Sequence, residues 1–466
     1  MLTHFLFAVT VSLAPVAEHD AGQQNETQKE LLQFATTTQE SHRHFASVWP
    51  GFWAENTPFI VYNHEGQAVL YTTKEPIPGE QKLAANYYYY SERLPNLTDF
   101  PFDINYPLPN NQVATAVRVG SGDDATDRRD TLLHEAFHGY QRAEFADVGR
   151  SEFLDPKHLD EAEIRAMLQL QFALAKQAHE SREEEDIRDW LTVRVALSEV
   201  IASEVSVYLG DVERYEGTAH WVGIQASSAG HYRDNLNNFS NNFPELFDTT
   251  FAIRSSAYVT GALLIDLVSD FSDSDNNWRD AIEQGKTPYE LAVQIFGIST
   301  EEAIARFNDV IAQHGFSDYM ARAQTTTSDL VTVADIEASY PYRLDITLSV
   351  VINDGRAELP MSFFGGDKGF HQLEENLLFL PNAETFQLTM PDSMIDVRNA
   401  PVLADMRKLG EREVTYSFWS QSPIITIDAL ESMNDLKLQF GQSIIQSPAG
   451  WTLDSTSTNE HLRITF

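Results

Sequence analysis

Leu132-Leu133-His134-Glu135-Ala136-Phe137-His138-Gly139-Tyr140-Gln141 sets a H-E-x-x-H inside an apolar, helix-like run. Residues four apart lie on one helix face, so His134 and His138 can hold one metal ion between them. Glu135 projects beside them, where a carboxylate can take a proton from metal-bound water. The surrounding Leu132, Leu133, Ala136, Phe137 and Tyr140 predict a helix packed on a core. Two histidines do not complete a catalytic zinc site, which usually takes three protein ligands and keeps one position open. The rest of the chain has to supply the third.

Outward from that helix, the 466 residues are enough for two domains or one large domain with a companion. A hydrophobic fraction of 42% and an aromatic fraction of 11% exclude wholesale disorder. The formal net charge of −37 argues against nucleic-acid binding and against adhesion to anionic membranes. There is no cysteine, so disulfides, thiolate zinc sites and cysteine nucleophiles are excluded, and histidines and carboxylates remain as metal ligands. Met1 to Ala17 is apolar, short for a membrane span and has small residues after Pro15, which predicts a signal peptide and a secreted or periplasmic protein. No other stretch is long and apolar enough to span a bilayer.

The chain before the motif is polar and weakly helical over Gln28 to Phe34, then strand-like from Phe52 to Val119. Pro58–Tyr62 and Ala68–Thr72 flank Asn63-His64-Glu65-Gly66 and predict a hairpin; Tyr87–Tyr90 and Ala114–Val119 predict further strands. Thr126 or Asp127 is placed to cap the motif helix. Two helices follow, near Leu159–His179 and Asp186–Leu209, then an Asn-rich loop at Asn235–Asn242 and an apolar helix at Ala262–Val268. Pro288–Phe296 and Thr300–Ala312 predict two more, the second opened by a capping box at Ser299 and Glu302. Beyond a linker at 325–342, short strands, among them Leu377–Leu380 and Phe386–Met390, dominate to Phe466. The expected fold class is α+β: a zincin-like domain over 46–325, with a small N-terminal sheet and a helical bundle, then an all-β, sandwich-like domain over 342–466.

Candidates for the third ligand are Glu199, Glu204, Glu213 and Glu216. Gln141 and Glu144 exclude the metzincin pattern, which needs glycine and histidine there. Glu216 is favoured because Gly217 and Ala219 leave room for a close helix approach, expected to be to the motif helix. Glu213 is the runner-up one turn earlier, and His220 shares the face of Glu216 four residues later.

His134-Glu135-x-x-His138 followed by Glu216-Gly217-x-Ala219 resembles the gluzincin metallopeptidases, in which a glutamate of an E-G-x-A segment completes the H-E-x-x-H. The resemblance covers a handful of residues and points to an uncharacterised branch. The interval to Glu216 is long, and the G-x-M-E-N sequence of the aminopeptidase branch is absent. It implies one zinc ion held by His134, His138 and Glu216, a sheet edge beside the metal helix to align substrate, and hydrolysis of peptides or proteins with Glu135 as general base. Tyr258, which follows Arg254 in a small-residue segment, is the candidate oxyanion donor, with His220 and His231 as rivals. A zinc hydrolase of a non-peptide bond and a silent binding protein with a structural metal helix are the alternatives.

Overall fold

The computed structural model describes residues 21–94, 97, 102–120, 125–146, 162–201, 203–228, 232–241, 250–272, 277–325, 333–349, 351–353, 356–358, 361–365, 371–374, 377–390, 393–408, 412–421, 425–428, 437–440, 443–446, 452–453 and 461–465. The expected signal peptide lies outside these. The fold is mixed α+β, with helices and a small sheet at the N-terminal end and a separate C-terminal sheet. Two compact units divide the chain: the described residues up to Arg43 with Trp53–Arg128, and His44–Phe52 with the residues from Arg129 onward.

In the first unit, α1 (Ala21–Glu40) packs across a six-stranded sheet. Its strands are β1 (Phe59–Tyr62), β2 (Ala68–Tyr71), β3 (Gln81–Ala84), β4 (Tyr87–Tyr90), β5 (Phe102–Leu108) and β6 (Gln112–Arg118), in the order β3-β4-β2-β1-β6-β5. The predicted hairpin is present: β1 and β2 pair antiparallel, and the Gly66 amide closes the turn on the Asn63 carbonyl with Gly66 at φ 84°. Every residue of β1 and β2 is buried, so these strands read as continuous apolar runs and not as alternation. The pair β1–β6 is parallel. The N-terminal stretch is helical from Ala21, beyond the weakly helical Gln28 to Phe34, and α2 (His42–Val48) carries His42 and His44.

The second unit carries the motif. α3 (Ala125–Glu144) buries Leu132, Leu133, His134, Glu135, Phe137, His138 and Gln141. The helix is described from Ala125, which places Thr126 and Asp127 in its first turn. α4 (Ala162–Ser181) and α5 (Glu184–Val200) form the expected hairpin, but the second predicted helix breaks at Ile201, whose backbone is extended. From there α6 (Ser203–Val212), a π-helical turn (Glu213–Gly217) and α7 (Thr218–Ser227) run as one uninterrupted helical path. The Asn-rich stretch expected as a loop forms α8 (Tyr232–Asn241), where Leu236 is buried and supplies its anchor.

The apolar helix begins earlier than expected. α9 (Thr250–Phe271) takes in Arg254, Tyr258 and Gly261, and it packs on α4, α6, the π turn, α7 and α8. Ala262, Leu263, Leu264, Ile265, Leu267 and Val268 are fully buried, which suits a helix surrounded by others. Helices at Pro288–Phe296 and Thr300–Gln313 stand close to their predicted places. The reciprocal capping box belongs to the first, between Thr287 and Glu290; Ser299 accepts from the Glu302 amide at 3.1 Å.

A short helix, Val333–Ser339, occupies part of the expected linker. The main C-terminal sheet has the order Met361–Gly365, Leu377–Met390, Ser393–Asp405, Glu413–Ser420, Tyr342–Ser349, His461–Thr465, Thr452–Leu453. Leu377–Leu380 and Phe386–Met390, expected as two strands, are one long strand whose register shifts between Leu380 and Ala383. Among the described residues no helix is long and apolar enough to cross a membrane.

Candidate metal centre

One helical turn of α3 places His134 and His138 side by side, both buried. Their Nε2 atoms are 3.0 Å apart, with the rings at right angles. Glu135 stands next to them, its Oε1 at 4.0 Å from His134 Nε2. Donor atoms of His134, Glu135 and His138 lie within 4.8 Å of one another, a group able to hold a metal ion.

The π turn brings a second carboxylate to the same point. Glu216 Oε2 is 3.2 Å from His138 Nε2 and 3.6 Å from His134 Nε2. In an α-helix, residues three apart fall near one face, so Glu213 and Glu216 would point together. The wider π turn separates them. Glu213 turns into a buried ion pair, its Oε2 3.2 Å from Arg194, while Thr260 donates to its Oε1 at 2.8 Å. Glu199 is exposed, and the Glu204 side chain and His231 lie outside the described residues.

The small residues after Glu216 do allow a close approach, although the neighbour is α9 and not the metal helix. A Cβ on Gly217 would sit 2.5 Å from the Gly261 Cα, and one on Gly261 would sit 2.5 Å from the Glu213 carbonyl oxygen. The motif helix is packed just as closely further along, where a Cβ on Gly223 would lie 2.9 Å from the Asp130 carbonyl oxygen.

Around these side chains the site is built from α3, α7 and α9. Arg254 donates to Glu216 Oε1 at 2.9 Å and to the Tyr258 hydroxyl at 3.2 Å. His220 lies with its ring 4.1 Å from that of His134 and 5.1 Å from that of Tyr258. Tyr215 stacks on His138 at 4.4 Å and 19°. Gln141, missed as a site residue, contacts both: its Oε1 is 2.8 Å from His138 Nδ1, and its Nε2 donates to the Tyr215 carbonyl at 2.8 Å. Its position three residues after His138 on one helix was the available signal.

Burial and neighbouring charge sort the two carboxylates. Glu135 is pushed up to about 7, chiefly by burial and further by Glu216, against the opposing pull of His134 and Arg142. Burial also acts to raise Glu216, yet His138, His134 and Arg254 outweigh it and hold this carboxyl well below the usual range. Burial drives His220 toward its neutral form, with His134 adding to the effect. The Tyr258 phenol is raised well above 10 by burial first and by Glu216 next, so it keeps its proton.

The donor set can be tested against a metal by distance alone. A tetrahedral zinc ion with ligands at its ordinary bond lengths separates any two ligand atoms by about 3.3 Å. The three separations among His134 Nε2, His138 Nε2 and Glu216 Oε2 are 3.0, 3.2 and 3.6 Å. The residues fit the ion. No protein-family model matches the chain, and neither a curated protein nor a solved structure matches it.

Proposed function

We propose that the chain is a zinc-dependent hydrolase of peptide bonds, in which His134, His138 and Glu216 hold one zinc ion and Glu135 is the general base. The carrying observation is the convergence of three buried donor atoms at the spacing of a zinc coordination edge. The E-G-x-A context of Glu216 adds the gluzincin resemblance, and with it the zincin-like fold and the peptide substrate.

A zinc ion bound here supplies a Lewis acid that polarises a carbonyl oxygen and acidifies a water molecule. Glu135 lies beside the histidines, where a carboxylate can take up a proton from water. It therefore accepts the proton of the attacking water and returns it to the leaving amine. Glu216 stays ionised throughout, its second oxygen braced by Arg254. Tyr258 keeps its proton and is oriented by the same guanidinium, which suits it to donate to a developing oxyanion.

One observation favours a second reading. His220 is an imidazole packed against His134 and could supply a fourth donor; a site closed by four protein ligands is structural, not catalytic. Zinc stoichiometry and cleavage of a mixed peptide pool by wild type and Glu135→Gln decide between them. The proposal expects one zinc per chain in both and a loss of cleavage of about 10²- to 10⁴-fold in the variant. Zinc without peptide cleavage in the wild type supports the structural site or another scissile bond. Equal cleavage by both proteins sinks the role of Glu135.

A further inference from the structure

Gln141 is fully buried on the metal helix, between His138 and the π turn that carries Glu216. A carbonyl oxygen can only accept, so the contact of 2.8 Å with the Tyr215 carbonyl identifies the Gln141 atom there as the amide nitrogen. The amide oxygen is then the atom facing His138 Nδ1 at 2.8 Å. An amide oxygen accepts, so Nδ1 carries the hydrogen and donates. With the hydrogen on Nδ1, a neutral His138 presents a bare lone pair on Nε2, the atom that lies 3.2 Å from Glu216 Oε2. Stacking of Tyr215 on the same ring holds its plane. His134 has no such brace, since its Nδ1 is buried without a hydrogen-bond partner among the described residues.

We infer that Gln141 is a positioning residue: it fixes His138 in the Nδ1–H tautomer with Nε2 free for a metal ion, and ties that ring to the backbone of the turn bearing Glu216. The inference rests on the zinc reading above for its consequence and on hydrogen-bond chemistry alone for the tautomer. Outer-shell partners of metal-bound histidines commonly act this way, and removing one costs about tenfold to a hundredfold in metal affinity. The usual partner is a carboxylate or a backbone carbonyl; a neutral side-chain amide that serves two elements at once is this chain's own solution.

Two variants separate positioning from packing. Gln141→Met keeps the volume and loses the acceptor, while Gln141→Glu keeps the acceptor and loses the donor to Tyr215. Zinc affinity is read by chelator competition, and the His138 tautomer of the zinc-free protein by ¹⁵N NMR of the imidazole. The expected results are an Nδ1–H imidazole in the wild type that is kept in Gln141→Glu and lost in Gln141→Met, zinc bound about tenfold to a hundredfold more weakly by Gln141→Met, and a smaller loss of affinity in Gln141→Glu, which keeps the acceptor but not the tie to Tyr215. An Nε2–H tautomer in the wild type overturns the inference. So does equal weakening in the two variants, or none in Gln141→Met. A wild type that binds no zinc but shows the Nδ1–H tautomer removes the zinc reading and leaves the tautomer assignment standing.

Discussion

Arg254 donates to Glu216 Oε1 at 2.9 Å, so that the carboxylate turns only its Oε2 toward His134 and His138. One oxygen is neutralised by the protein and the other is left for the site. Both partners are largely buried, and removing the cation alone would strand an ionised carboxylate away from water.

That geometry predicts a coupled pair. In zinc-free protein, Arg254→Met lowers unfolding free energy by about 3 kcal/mol, the order expected for a broken buried ion pair. Glu216→Gln made in the Arg254→Met background costs less than the same change in the wild type, because the stranded charge is already the problem. Urea unfolding of the four proteins measures the coupling. Additive costs would show that the pair carries no stability.

Glu135 predicts the opposite effect, a residue whose ionised form destabilises the fold. Its carboxyl is raised to about 7 by burial, above the ordinary value of 4.5. Below 4.5 it is protonated in both states and neutral in effect. Between 4.5 and 7 the folded state holds the proton that the unfolded state has released, so stability falls as pH rises through this window. Above 7 the full cost of the buried anion is present, about 3 kcal/mol for a shift of this size. Zinc-free Glu135→Gln should therefore match wild type near pH 4.5 and exceed it in stability by that order at pH 8. A gap that shrinks with rising pH contradicts the assignment.

Glu213 tests the choice between two glutamates three residues apart. It is committed to Arg194 and Thr260 in the core, and Arg194 in turn lies over the Tyr289 ring at 4.6 Å. Glu213→Gln is expected to lower stability by about 3 kcal/mol and leave zinc stoichiometry unchanged. Glu216→Gln should do the reverse for zinc. Loss of zinc in the Glu213 variant alone would move the ligand assignment one turn back.

The motif helix, the β1–β2 hairpin and the two helices after Thr287 and Ser299 were legible because short-range chemistry decides them. An i,i+4 pair, an Asn-x-x-Gly turn and hydroxyl caps act within a few residues. The π turn was not legible, since nothing in Glu213-Arg214-Tyr215-Glu216-Gly217 announces a change of helical pitch. It depends on what α9 brings against it. The same distance in sequence hid the role of Arg254, which shows only when Glu216 is placed beside it. Two strands were read where Leu377–Met390 runs as one, because Pro381 and Asn382 punctuate a bulge as they would a turn.

The packing of the π turn on α9 carries the last prediction. Gly217 and Gly261 meet backbone to backbone, and a methyl group on either would have to push main chain aside instead of a flexible side chain. Such overpacking costs about 1–3 kcal/mol or more. Gly217 also adjoins Glu216, so the displacement would reach its carboxylate directly. Gly217→Ala is expected to lose at least about 2 kcal/mol of stability and to weaken zinc binding together with it. Gly139 lies on the metal helix with open space around it, its nearest atom being an Arg142 side-chain nitrogen at 3.9 Å. Gly139→Ala should gain up to about 1 kcal/mol, as alanine does in place of glycine inside a helix, with zinc affinity unchanged. Urea unfolding and chelator competition on both variants read the two outcomes. If Gly217→Ala were tolerated as easily as Gly139→Ala, the close crossing at Gly261 would not be what holds Glu216 toward the histidines.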